Sequence, residues 1–275
     1  MKSFFEKIKE RWRRADYNVG YTCDDCGREV FDYPSHRLCE ECDSRLEKND
    51  GRVCPKCGRR TKAEGVCWNC KRILPKFHMG FSPFVYRGET AALINKMKNG
   101  NPRLCYYFGE RIAECFLGRY ERKELFSEEK GELTFLIVPI PLSKRKANER
   151  GYNQAELLAW TVKEVLQRKG YRATMDTTLL IRRKEVKQQK HLHYKERFEN
   201  AATSYSVVKR KACKNAIILL VDDILTTGAT SGECGRKLLS AGAYEVNFLC
   251  AASKEERESN QNIYKNIGEK YETRL

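Results

Sequence analysis

The sequence predicts an α/β domain built on a parallel sheet, preceded by a small module organised by cysteine pairs. Three observations carry that prediction. The runs "LTFLIVPIP", "IILLVDD" and "EVNFLCAAS" are apolar along their length and alternate with helical periodicities, the pattern of strands covered on both faces. Ahead of them stand four C-x-x-C pairs. A chain of 275 residues with 41% hydrophobic side chains can bury one domain of ordinary size plus that appendage.

In chain order, Phe4, Phe5, Ile8 and Trp12 recur at helical spacing among Lys7, Lys9, Arg11, Arg13 and Arg14. They predict a basic amphipathic helix over residues 1–20, docked on the protein itself, with a membrane surface or a partner as the alternative. "MKSFFEKIKERWRR" is too charged for the apolar part of a secretory signal, and no stretch approaches the roughly 18 to 20 apolar residues that span a bilayer. A cytoplasmic location is expected, at the inner face of the membrane only through a partner.

Residues 21–76 hold Cys23/Cys26, Cys39/Cys42, Cys54/Cys57 and Cys67/Cys70. In a reducing compartment this spacing favours metal over disulfides. Each C-x-x-C turn brings two thiolates to one ion, and two turns complete a tetrahedral zinc site, so two structural four-cysteine sites are expected. Sequential pairing into two ribbons is favoured over a cross-braced arrangement, and His36 is expected to be a loop residue. With so few aliphatic side chains the segment needs its metal to fold. Loss of the second site is expected to leave the larger domain, residues 77–275, folded.

The formal charge of +16 falls to +12 when each of two four-thiolate sites is counted with its divalent ion at −2, and the chain stays basic. Residues 21–50 carry 4 basic and 9 acidic side chains, whereas residues 51–76 carry 8 and 1. A basic surface attracts phosphate backbones, although many proteins that bind no nucleic acid share it. Candidate DNA contacts are Arg52, Lys56, Arg59, Arg60 and Lys62 in the second ribbon and Arg182, Arg183 and Lys184 further on, with Trp68 as a stacking platform.

In the larger domain "FSPFVYR" reads as a strand, "ETAALINKMKNG" as a helix ending at Gly100, and Leu104 to Lys123 as a longer helix. After the strand "LTFLIVPIP" comes a basic loop, "LSKRKANERGYNQA", opening into a helix that runs to Lys169. A helix over 228–241 separates the last two strands. Ligands on such sheets bind at the carboxyl ends of the strands, where both informative loops lie. There Asp222 and Asp223 can accept hydrogen bonds from paired ribose hydroxyls, and Thr226, Thr227, Gly228, Ala229 and Thr230 form a turn at a helix N-terminus suited to a phosphate. A capped helix start is the plainer reading of the same residues.

The stretch "VDDILTTGAT" resembles the phosphoribosyl-pyrophosphate (PRPP) motif of type I phosphoribosyltransferases. "VPIPLSKRKANERGYNQAELLA", residues 138–159, resembles the signature of the ComF family, and "QQKHLHYKERFENAATSY" matches its further pattern at Gln189, Leu192, Arg197 and Asn200 ahead of Tyr205. With the cysteine pairs, the resemblance spans nearly the whole chain from residue 21.

The resemblance implies a type I phosphoribosyltransferase fold preceded by the zinc-ribbon module. Asp222 and Asp223 would hold the ribose and residues 226–230 the 5′-phosphate. Pro141, Leu142, Ser143 and Lys144 would face pyrophosphate with magnesium, and Arg145, Arg150, Asn153 and Gln154 would contact phosphate or order that loop. The segment Arg182 to Arg197 would act as a lid or a DNA-binding edge, without a catalytic role for His191 or His193. Thr226 stands where purine-salvage enzymes of the hypoxanthine/guanine kind carry an acidic residue, which disfavours that substrate class. The favoured function is a DNA-uptake factor of natural transformation that binds PRPP and single-stranded DNA and works with a helicase/translocase. The alternatives are a conventional phosphoribosyltransferase acting on a base or amine, and a PRPP-responsive regulator without turnover.

Overall fold

The structure, a computed structural model, describes residues 21–32, 36–120, 133–183 and 204–256. The expected N-terminal helix, residues 121–123 of the long helix, Lys184, and the pattern residues Gln189 to Asn200 with His191 and His193 lie outside them. Two short helices, α1 (Glu40–Ser44) and α2 (Trp68–Ile73), belong to the cysteine-rich part. The elements that follow are β1 (Gly80–Phe81), β2 (Phe84–Val85), α3 (Gly88–Lys98), α4 (Leu104–Tyr120), β3 (Thr134–Pro139), α5 (Lys144–Arg150) and α6 (Gln154–Arg168). Then come β4 (Arg172–Met175), β5 (Leu180–Arg182), β6 (Tyr205–Val207), α7 (Arg210–Cys213), β7 (Ile217–Leu225), α8 (Ala229–Ser240) and β8 (Glu245–Ser253).

The main sheet is parallel throughout, in the order β1-β8-β7-β3-β4, with β2 also on β8. Strands β5 and β6 form a separate antiparallel pair. Because side chains alternate along a strand, each central strand feeds two cores. Phe135, Ile137, Leu219, Val221, Leu249 and Ala251 face α4 and α6, whereas Val138, Ile218, Leu220, Val246, Phe248 and Cys250 face α8. Both faces are therefore buried, as the unbroken apolar runs predict.

Two expectations change. Strand β7 does not end with the carboxylates: it runs on past both to Leu225, because β8 is equally long and supplies ladder partners, Cys250 for Asp222 and Ser253 for Leu225. The basic loop after β3 contains a helix. Ser143 Oγ accepts from Lys146 N at 3.3 Å, and Gly151 closes α5 in the left-handed conformation at φ 73°. A polar sequence bounded by a serine and a glycine thus makes about two turns of capped helix on the surface.

The cysteine-rich part straddles the sheet. Cys23 and Cys42 are buried in the core on the α4 side, and Cys54, Cys57, Cys67 and Cys70 in the core on the α8 side. The four cysteines of the second ribbon share one buried cluster with Phe77, Ile218 and Phe248.

Gly109 marks the closest approach of α4 to α6. A Cβ there would lie 2.5 Å from Thr161 Cβ, an atom anchored to the facing helix. In an exposed helix interior Gly→Ala stabilises by about 1 kcal/mol. At Gly109 the sign should reverse, with Gly109→Ala destabilising by about 1 to 3 kcal/mol through overpacking. A lowered urea midpoint at unchanged slope checks this, and a raised midpoint contradicts it.

Candidate functional site

The chain reverses direction across the sheet between β3 and β7, so the loops that leave their carboxyl ends diverge and open a crevice. A cleft of about 310 Å³ lies there. Its walls include Pro141 and Leu142 after β3, Lys146 and Arg150 on α5, Arg182 and Tyr205 from the β5/β6 pair, Asp222 and Asp223 on β7, and residues 226–231.

The carboxylates lie at its floor. Asp222 Oδ1 accepts from the Asp223 N–H at 2.8 Å, and Asp223 Oδ2 pairs with Lys98 Nζ at 2.9 Å. Burial, reinforced by the charge of Asp223, pushes Asp222 up to about 7. Burial and then the neighbouring Arg150 hold Lys146 below the ordinary lysine value. The cleft thus gathers Lys98, Lys146, Arg150 and Arg182 around two acids, a lining with excess positive charge. Arg182 stacks over Tyr205 at 5.6 Å, and its buried Nε has no hydrogen-bond partner among the described residues.

Gly228 opens α8 in the left-handed conformation at φ 84°, and Thr227 Oγ1 accepts from Ala229 N at 3.3 Å. The turn therefore sets residues 226–230 around a helix N-terminus, where amides without intrahelical acceptors and the positive dipole end favour an anion. A site with paired carboxylates at one end and an anion cradle at the other can hold a polyol that carries a phosphate.

Of the residues expected to face pyrophosphate, Pro141 and Leu142 line the cleft, whereas Ser143 caps α5 and Lys144 is exposed on it. Arg145 turns outward to Glu149 at 2.7 Å. Arg150 lines the cleft and donates to the buried Gln154 Oε1 at 2.9 Å. Asn153 caps α6 through Ala155 N and donates to Ile140 O, fastening the helix to the end of β3. Lys98 and Lys146 escaped the sequence reading. Lys98 gives no local signal, because only the fold carries the end of α3 to β7. Lys146 was legible once α5 is a helix, since it lies four residues before Arg150 on one face and Arg145 four before Glu149 on another.

The eight paired cysteines gather into two groups, Cys23, Cys26, Cys39 and Cys42, and Cys54, Cys57, Cys67 and Cys70, each with all sulfurs within 4.8 Å of one another. This is the sequential pairing. Four ligands at about 2.3 Å in a tetrahedron place sulfurs roughly 3.8 Å apart. The Cys26–Cys39 and Cys57–Cys67 sulfurs stand 3.7 Å apart, so both groups fit a tetrahedral ion. The first turn of each group repeats one geometry, Cys23 N to Arg28 O and Cys54 N to Arg59 O, with Gly27 and Gly58 left-handed at φ 75° and 73°. His36 is apart from both groups, facing Asp32 at 3.7 Å.

Several candidate DNA contacts are committed inside the protein. Arg59 is buried, donating to Thr226 O at 2.8 Å and to Cys57 Sγ at 3.3 Å, which removes it from the surface. Arg60 pairs with Glu47 at 2.6 Å and faces Glu255 at 3.7 Å, and Lys56 donates to Phe77 O. Arg182 belongs to the cleft. Arg52, Lys62 and Arg183 are exposed, and Trp68 is partly so, beneath the Arg72 guanidinium.

No family model matches the chain. A solved structure described as the allosteric regulatory enzyme of purine biosynthesis overlaps 59% of this chain and 33% of its own, at 16% identity and a TM-score of 0.30, too loosely to bear on the fold. "Competence protein F" of Haemophilus influenzae is 25% identical over 212 residues, covering 76% of this chain and 87% of that protein. "DNA utilization protein YhgH" of Escherichia coli K12 is 26% identical over 219 residues, covering 78% and 88%. "Competence protein ComFC" of Bacillus subtilis is 32% identical over 217 residues, 76% of this chain and 80% of its own. With that identity over most of both chains, and the cysteine pairs and cleft motifs in place, the chain belongs to the ComF family.

Proposed function

We propose that the protein handles single-stranded DNA during natural transformation and that its cleft binds PRPP. The observation that carries the ligand is the cleft at the sheet's switch point, with paired carboxylates on its floor, four cations in its walls and a helix N-terminus at one end. Asp222 and Asp223 would accept from the ribose hydroxyls, residues 226–230 would take the 5′-phosphate, and Lys146, Arg150 and Arg182 would face pyrophosphate. Magnesium would neutralise the pyrophosphate when bound. In this reading Lys98 holds Asp223 until the hydroxyls replace it.

The names of the relatives, competence and DNA utilization proteins, support the DNA role. A helicase/translocase of the uptake machinery is the expected partner. Among the described residues no helix is long and apolar enough to cross a membrane. The phosphate backbone would run over Arg52, Lys62 and Arg183, and Lys184 would join them. The metal we assign to the two four-cysteine groups is zinc, in a structural role, because four thiolates leave no open position for chemistry.

Metal analysis of reduced protein should find about two zinc ions per chain. A folded, reduced sample without zinc removes the assignment.

Calorimetric titration of magnesium PRPP should give binding in the wild type and none in the Asp222→Asn/Asp223→Asn protein. Asp222→Asn alone should weaken affinity by about tenfold or more. Asp222 binds more protons when folded than unfolded between about pH 4 and pH 7, so its cost to stability grows across that window and is complete above it. Asp222→Asn should therefore raise the urea midpoint at pH 8 and leave it unchanged near pH 4. No binding by the wild type, or equal binding by the double variant, sinks the PRPP reading. Turnover of PRPP with a supplied base would favour a conventional transferase.

Neutralising Arg52, Lys62, Arg183 and Lys184 together should abolish a single-stranded DNA gel shift at low salt, whereas the wild type should lose affinity steeply as salt rises. An unchanged shift contradicts the assigned surface.

A further inference from the structure

The two ribbons contain the same tripeptide, Cys26-Gly27-Arg28 and Cys57-Gly58-Arg59, in the same turn, yet the two arginines go to different places. Arg28 pairs on the surface with Glu41 at 2.5 Å, both side chains more than half exposed. Arg59 is 2% exposed, and its guanidinium joins Cys57 Sγ, through Nε at 3.3 Å, to Thr226 O, through Nη2 at 2.8 Å. Thr226 is the first residue after β7 and the first of the loop that opens α8. A buried guanidinium is retained only where its donors are satisfied, and these partners lie on the second cysteine group and on the loop.

The junction around this contact is closely packed. A Cβ at Gly58 would stand 2.3 Å from Gly80 O, and one at Gly80 would stand 2.4 Å from Cys57 O, so the cysteine turn rests backbone to backbone on β1. Residues just beyond β8 are clamped from both sides. Lys254 N donates to Leu225 O at 2.9 Å, and Glu256 N donates to Arg60 O at 3.2 Å. The end of β7 is thus tied to the second ribbon by one side chain and one backbone strap, while among the described residues the first ribbon makes no hydrogen bond to the loop.

We infer that Arg59 is a positioning residue through which the second four-cysteine centre sets the loop 226–230, so that metal in that centre and an anion in the cleft favour each other. The anion is the phosphate end of the ligand proposed above, and this step rests on that reading. A metal-bound cysteine sulfur is a thiolate, which supplies the guanidinium with its counter-charge. Once the centre is lost, the arginine has no anion on the ribbon side and its hold on Thr226 O loosens. By reciprocity, an anion in the cleft should tighten metal binding in the second centre.

Amide hydrogen exchange of the full chain tests the coupling without requiring any activity. Arg59→Gln keeps all eight paired cysteines. Its loop amides 226–230 should exchange about tenfold faster than wild type, with β3 unchanged and the zinc content intact. Cys57→Ser should accelerate the same amides, and the double variant should show no more than the larger single effect, because the two residues act in one chain of contacts. Arg28→Gln, the equivalent change in the first ribbon, should leave the loop at the wild-type rate. Magnesium PRPP affinity should fall about tenfold in Arg59→Gln and stay unchanged in Arg28→Gln.

Loop exchange at the wild-type rate in Arg59→Gln, or single effects that multiply in the double variant, would overturn the inference. If Cys57→Ser does not fold, Arg59→Gln decides alone through the same loop amides. A wild type that takes no PRPP removes the ligand reading, and the exchange rates still decide whether the ribbon positions the loop.

Discussion

The central strand β7 is apolar on both faces, and a strand of that kind has to be covered twice. Leu219 and Val221 need one set of partners and Ile218 and Leu220 another, because alternation sends them to opposite sides of the sheet. On one side α4 and α6 supply a thick layer of Phe108, Ile112, Phe116, Leu158 and Val162. On the other, α8 is a single helix of 12 residues, and the second cysteine group with Phe77 shares the rest of the cover with Leu179, Leu180, Tyr205 and Cys213. The metal-binding part is therefore not an ornament on a finished domain. It supplies a share of the layer without which the strand carrying Asp222 and Asp223 would face water.

The same logic accounts for the uneven charge along the chain. The acidic side chains of the first ribbon meet basic ones around them: Asp24 is buried between Arg103, just ahead of α4, at 2.6 Å and Arg37 of the same ribbon at 3.4 Å, and Asp25 pairs with Lys96 on α3 at 2.5 Å. Burial tends to protonate Asp24 and the two guanidinium groups oppose it, so its charge is tolerable only with both in place. Glu47, from the acidic first part, accepts from Arg60 of the second ribbon and from Arg87, which also meets Glu255. Much of the basic excess of that ribbon is thus spent on internal ties. Composition recorded the sign of these charges and could not record their direction.

What was legible in the sequence follows from the range over which each signal acts. Strand-length apolar runs, the cysteine spacing and the aspartate pair are local patterns, and they led to the sheet, the two sulfur clusters and the floor of the cleft. The capped helix α5 was also local, bounded by Ser143 and Gly151, but its charged residues resemble a loop when they are read for composition alone. Lys98 and Arg59 were out of reach, since each acts across the fold: Lys98 reaches Asp223 from the end of another helix, and Arg59 reaches a carbonyl 167 residues away. Arg182 was read as surface because its strand partner, Tyr205, lies beyond an intervening stretch of charged sequence.

Gly235 has a consequence for how this chain can be divided. A Cβ on it would stand 2.2 Å from Lys76 O, and Gly232, one turn earlier, lies against Pro75. Helix α8 thus carries a groove shaped to the backbone of the segment that leads from the second ribbon into β1. That segment runs like a strap beneath a buckle and has none of the slack of a tether between independent bodies. A chain begun at residue 77 would leave the groove empty and Phe77 without its flanking backbone, and a protease would find no loose hinge there to nick. The border that composition draws between cysteine module and sheet domain separates two vocabularies of residues within a single mechanical body.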